Sequence, residues 1–168
     1  RHMIANRLQT ESSLQPNDTN QKPETRNRKK ATVYLFCDEF TNYNDTEIGQ
    51  KAILLLEKLG YEVIIPAHEE SGRAWLSKGL IREAKKIANR NIAALGKLIT
   101  AGTPLIGIEP SAILTFRDEY IDLADELNFE TAKALAKNVF LIDEFIAAEI
   151  DKGNIIAEQF TQEKKRIL

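Results

Sequence analysis

Ile106-Gly-Ile-Glu-Pro-Ser-Ala-Ile-Leu-Thr-Phe-Arg-Asp-Glu-Tyr120 is the stretch that decides how this chain folds. It opens within a short apolar run, Leu105 to Ile108, and breaks at Glu109-Pro110. Apolar residues at helical spacing follow at once, with Arg117, Asp118 and Glu119 among them. A buried parallel strand hands over to a helix in this way. An open α/β sheet places its ligand at the carboxyl end of such a strand.

Upstream, Thr32-Val-Tyr-Leu-Phe-Cys37 is a continuous β-prone run and predicts a first buried strand. A polar loop is expected over residues 38–45, with Asn44 or Asp45 capping the next helix. Ile48, Ala52, Leu55, Leu56 and Leu59 then recur at helical spacing, and Gly60 is a natural stop. Tyr61-Glu-Val-Ile-Ile65 reads as the second strand, ended by Pro66. A loop over residues 67–73 leads into a long helix. Its stripe is Ile81, Ala84, Ala88, Ile92, Leu95 and Ile99, widened by Leu80, Ile87 and Leu98. Ala101-Gly102 ends that helix before a third strand at Pro104–Ile108.

Downstream, helices are expected over about residues 129–137, capped by Asn128, and 139–152, stopped by Gly153. Lys164-Lys-Arg-Ile-Leu168 reads as the start of another strand, as expected of a fragment of a larger protein. Alternating strands and helices predict a three-layer α/β fold, a mainly parallel sheet with flanking helices, in effect a Rossmann-like half. The first strand should lie between the second and third. The loops over residues 38–45, 67–73 and 109–111 then gather at the carboxyl edge.

The composition fits one domain over residues 31–168: 168 residues, 43% hydrophobic and 29% charged. Residues 1–30 are polar and rich in Asn, Gln, Thr, Ser and Pro. They read as a disordered tail or linker, with residues 1–2 a cloning remnant. Seven Lys/Arg stand against three Asp/Glu in that tail, and 16 against 22 in the remainder. A basic tail suits acidic partners, but no aromatic side chain interleaves its charges to stack on bases, so no nucleic-acid partner is expected. No apolar run approaches the roughly 20 residues of a spanning helix, so no integral membrane segment is expected. The cytoplasm is the expected compartment.

The single cysteine, Cys37, excludes an internal disulfide and a thiolate-rich metal site. It reads as a small buried hydrophobe. Asp38, Glu39, Glu69, Glu70 and Glu109 can converge on one rim, either to bind a hard cation or to act as acid and base. His68 is a candidate general base, but a lone loop histidine is more often solvated. Ser71-Gly72 at a helix start offers backbone amides to an anion. Ser111 opens a helix after a strand, yet it lacks the Gly-x-Ser-x-Gly setting of a hydrolase nucleophile. No Gly-x-Gly-x-x-Gly or P-loop pattern is present. Arg117 with Asp118 reads as a structural ion pair or a helix anchor. No catalytic residue and no metal ligand is assigned.

Three ordered blocks resemble the cysteine-rich domain of iron–sulfur oxidoreductases. They are Phe40-Thr-Asn-Tyr-Asn-Asp45; Gly72-Arg73 with Ser77-Lys-Gly-Leu80; and Gly107-Ile-Glu-Pro-Ser111 with Leu114-Thr-Phe-Arg-Asp-Glu-Tyr120. The likeness covers about residues 31–150. It points to large FAD-linked oxidases of the D-lactate or glycolate dehydrogenase type. The iron–sulfur component of anaerobic glycerol-3-phosphate dehydrogenase and the cysteine-rich component of heterodisulfide reductase resemble it more distantly.

In that family the loops carry cysteines that hold or adjoin a cluster, and the resemblance assigns those places to Glu39, Glu70, Ser71 and Ala112, with Gly72 beside them. Thr41, Asn42, Asn44, Arg73, Lys78, Glu109, Pro110, Ser111, Arg117 and Asp118 become loop-supporting or docking residues. The resemblance implies an oxidoreductase acting on a 2-hydroxy acid. FAD and any iron–sulfur clusters would then sit elsewhere in the parent protein and no cofactor in this fragment. The fragment alone would be inactive, and would serve a structural or docking role. Its partners would be the remaining domains of a parent that is at most membrane-peripheral. The alternatives are an interaction or scaffold module, with helices over residues 129–152 pairing into a homo-oligomer, and an oxygen-ligand metal domain.

Overall fold

The protein is described by a computed structural model over residues 31–163. The expected tail at residues 1–30 and the strand start at 164–168 lie outside the described residues. Strands β1 (Ala31–Phe36), β2 (Tyr61–Ile64), β3 (Leu105–Gly107) and β4 (Val139–Leu141) form one parallel sheet in the order β2-β1-β3-β4. The register sets Ala31 against Tyr61, Tyr34 against Leu105, and Leu105 against Val139. The expected α/β fold and the central place of β1 are both found.

Side chains alternate across each strand, and that alternation makes the layers. Phe36, Leu105 and Val139 face one side, in a cluster with Ala84, Ala88, Ile92, Leu95, Ile113, Phe116 and Tyr120. Val33 and Ile106 face the other, with Leu56, Leu59, Tyr61, Phe145 and Ile155. Leu35, Cys37 and Ile53 form a smaller group. Leu56, Ile92, Leu105, Ile106 and Ile113 are wholly buried. Each contributes roughly 1.5–3 kcal/mol by leaving water.

Helices α1 (Glu39–Tyr43) and α2 (Thr46–Lys58) follow β1; α3 (Arg73–Ser77) and α4 (Ile81–Leu95) follow β2. Helices α5 (Pro110–Thr115), α6 (Glu119–Leu123) and α7 (Phe129–Ala136) connect β3 to β4, and α8 (Ile142–Asp151) follows β4. Gly60 ends the first crossover at φ 102°, where a side chain would be strained.

The expected helix over residues 139–152 begins with the fourth strand. Val139-Phe-Leu141 is a β-prone triplet that pairs with β3. Glu144 caps the Leu141 amide at 3.0 Å, so the helix starts only at Ile142. The expected stripe of α4 also ends early, at Leu95. Ile99 is buried from the turn beyond it, whereas Leu80, Ile81 and Leu98 are exposed. Gly96 marks the end: a Cβ there would stand 2.2 Å from Thr131 Cγ2 on α7. The two expected loops are also part helix, α1 in the first and α3 after Gly72 in the second.

Candidate functional site

The first two carboxyl-edge loops are fastened together by side chains. Asp38 turns inward as the cap of α1 and accepts from the amides of Phe40 and Thr41 at 2.9 Å each and from the Thr41 hydroxyl. It is buried, with both carboxylate oxygens bonded. Glu39 therefore begins the helix with its carboxylate directed at the second loop. It accepts from Ser71 Oγ at 2.7 Å and from the Ser71 amide at 3.1 Å. Ser71 is wholly buried, and its Oγ also accepts from the Arg73 amide at 3.1 Å. The anion expected at Ser71-Gly72 is thus the protein's own Glu39.

Two buried residues that were not among the expected site residues, Asn91 and Tyr120, hold the second loop from beneath. Asn91 of α4 accepts from the Glu69 amide at 2.8 Å and donates to the Glu70 carbonyl at 2.9 Å. It also donates to the Tyr120 hydroxyl, which in turn donates to the Ser71 carbonyl at 3.0 Å. Asn91 interrupts an apolar helix face beside Ala88 and Leu95, and that polar intrusion was the available signal. Burial pushes the Tyr120 hydroxyl pKa up. The Asn91 bond opposes this, and the charges of Glu39, Glu69 and Glu70 add to it.

His68 is half-buried rather than solvated. Its ring lies 4.3 Å from that of Phe36. Nε2 accepts from the Cys37 amide at 3.3 Å, and Nδ1 lies 2.6 Å from the Glu69 carbonyl. Cys37 is the small buried residue expected, and its thiol donates to Asn42 Oδ1 at 3.7 Å. Burial, then the charge of Asp38, pushes its pKa up to about 12. A cavity of about 470 Å3 opens between the two loops, lined by residues that include Glu39, Asn42, Tyr43, His68 and Glu70.

The third loop keeps to itself. Glu109 caps α5, accepting from the Ala112 amide at 2.6 Å and the Ser111 hydroxyl at 2.8 Å, with Pro110 in the first turn. Ala112 is buried in the core beside Phe116. Gly107, just before this loop, has no room for a side chain: a Cβ would meet Ile113 carbons at 2.4 and 2.5 Å.

Of the five carboxylates expected on one rim, Glu39, Glu69 and Glu70 line the cavity between the first two loops, whereas Asp38 and Glu109 turn back to cap helices. Glu69 pairs with Arg90, and Glu70 accepts from Trp75 Nε1 at 2.6 Å. Among the described residues, no three of His, Cys, Asp and Glu are grouped to hold a metal ion. Arg117 does not pair with Asp118. It pairs with Glu144 of α8 at 2.7 Å, while Asp118 stands at the start of α6 without a side-chain cap bond. Arg73 pairs with Glu119, Asn42 is buried, and Asn44 and Lys78 end short helices at the exposed surface. The resemblance's cluster places do not fit a cluster. They present a carboxylate bonded to a serine, a second carboxylate on an indole and a buried methyl, where iron–sulfur clusters need thiolates.

No protein-family model and no solved structure matches this chain. D-2-hydroxyglutarate dehydrogenase of Escherichia coli K12 is 29% identical over 124 residues, which is 74% of this chain and 12% of that protein. Its counterpart in Pantoea ananatis AJ13355 is 28% identical over 132 residues, 79% of this chain and 12% of that protein. One component of the anaerobic glycerol-3-phosphate dehydrogenase of Escherichia coli K12 is 26% identical over 129 residues, 76% and 32% of the two chains. No helix among the described residues is long and apolar enough to cross a membrane. The chain spans about a tenth of the D-2-hydroxyglutarate dehydrogenases it matches, so its likeness is to one segment of larger oxidoreductases.

Proposed function

We propose that this chain is a structural or docking domain of a larger dehydrogenase that oxidises a 2-hydroxy acid such as lactate, glycolate or 2-hydroxyglutarate. FAD and any iron–sulfur clusters belong to other parts of that protein. The observation that carries this reading is the Glu39–Ser71 contact. Two positions that the resemblance gives to cluster thiolates are here a carboxylate and a hydroxyl bonded to each other. Such a contact holds two loops together without iron. Phe40, Tyr43 and Ile48 are 51%, 67% and 52% exposed around the same loops, which suits a face that meets another domain.

The test has two arms. The chain is reconstituted anaerobically with iron and sulfide, and no bound iron or sulfide is expected. A brown sample with stoichiometric iron and sulfide overturns the reading. The flavin-containing remainder of the same polypeptide is then titrated onto the chain. Binding is expected, with at least a tenfold loss in Phe40→Asp and Tyr43→Asp; a chain that ignores that remainder removes the docking role.

A further inference from the structure

We propose that residues 164–168, Lys-Lys-Arg-Ile-Leu, add a further parallel strand to the open edge of β2. The proposal goes beyond the docking role and does not depend on it. Among the described residues both ends of the sheet are open, since β2 pairs only with β1 and β4 only with β3. The hand of the crossovers decides between them. The step from β1 to β2 passes through α2 on the face of Val33 and Ile106. The steps from β2 to β3 and from β3 to β4 run the opposite way, through α4 and then α5 to α7, on the face of Phe36 and Leu105. Direction and face are therefore coupled, as right-handed crossovers require. Helix α8 buries Phe145 on the face of Val33 and Ile106. A parallel strand after α8 must then lie outside β2; outside β4 the crossover would be left-handed.

The chain beyond α8 already leads to that side. Ile155 is buried in the cluster that holds Leu59 and Tyr61, at the start of β2. Helix α8 has returned the chain to the amino edge of the sheet, so a strand rising from there runs parallel to β2. The outer side of β2 fits the proposed occupant. Glu62 is exposed, accepts from the Thr32 hydroxyl at 3.0 Å and has no ion pair among the described residues. Val63 is half-buried and Ile64 is exposed. Setting Arg166 beside Glu62 places Ile167 beside Val63 and Leu168 beside Ile64. One register thus matches a cation to a carboxylate and two apolar residues to two others. A slip of one residue would turn Arg166 to the buried face beside Val63. Basic residues also suit an outermost strand, because they discourage further strands from adding to it.

The test compares the full chain with one ending at Glu163 by nuclear magnetic resonance. In the full chain, amide-to-α-proton Overhauser contacts are expected between residues 165–168 and residues 61–64, a readout that needs no variant. Successive strand amides point to alternate sides, so those of β2 directed away from β1 should exchange about tenfold or more slowly in the full chain than in the shortened one. Ile167→Asp, which sets a charge beside Val63, should remove most of that protection. Arg166→Glu should weaken it, and adding Glu62→Lys should restore it. Contacts of residues 165–168 with β4 or with no strand overturn the proposal. So does exchange at β2 that is indifferent to the shortening, or protection that rises with protein concentration, as a second copy on the edge would give.

Discussion

Replacing Ser71 by alanine tests the contact that holds the rim together. The hydroxyl lost donates to a carboxylate at 2.7 Å and accepts from the Arg73 amide at 3.1 Å, at a wholly buried position. A charge-assisted bond contributes about 1.5–3 kcal/mol, and an amide left unpaired out of water costs about 1–3 kcal/mol. The Ser71 amide still reaches Glu39, which keeps the total near the lower ends, about 2.5–4 kcal/mol. At this chain length each kcal/mol moves Tm by roughly 2–4 °C. Urea unfolding followed by Trp75 emission and circular dichroism gives the number directly. In a Glu39→Gln background the same substitution should cost about 1 kcal/mol less, because the bond it removes is no longer to a charge. A cost below about 0.5 kcal/mol, or one indifferent to residue 39, refutes the reasoning.

Gly107→Ala should cost about 1–3 kcal/mol in urea unfolding, since Ile113 must leave its position to admit a methyl group. Burial alone would raise the Glu149 pKa, but hydrogen bonds from Lys152, Tyr61 and Asn154, with the Lys152 charge, hold it below the usual range. Its stabilisation is therefore present above the unfolded-state pKa and lost as pH falls through the folded value. Tyr61→Phe removes one of those bonds, so the variant should lose less stability than the native protein between about pH 7 and 3 when both are unfolded in urea. Cys37, buried with a pKa of about 12, should resist thiol reagents at neutral pH until the chain unfolds; prompt labelling of the native protein contradicts the burial.

The central strand pair and the gathering of the first two loops were legible because long apolar runs and parallel crossovers leave few arrangements. β4 was not, since three residues directly ahead of a helical pattern carry no period of their own. Two members of the carboxylate rim were misplaced for a different reason, while Glu39, Glu69 and Glu70 do line one cavity. Asp38 and Glu109 each stand just before a helix, Glu109 with Pro110 in the first turn, and caps turn their side chains back onto the chain. The partner of Arg117 was out of reach of local reading because Glu144 lies 27 residues away on another helix. Glu39 and Ser71 were both marked as site positions. Their mutual bond depends on the Asp38 cap and on Asn91 beneath the loop, which only the folded chain brings together.

The Tyr120 hydroxyl links α6, α4 and the Ser71 carbonyl at one buried point. None of these groups can exchange its partner for water without exposing the other two. Opening of the second loop is therefore an all-or-none event that also loosens α6 from α4. In hydrogen exchange, the amides of Glu69 and Ser71 should share one opening free energy well above that of an ordinary surface loop. A surface connection thereby acquires the slow breathing of the interior.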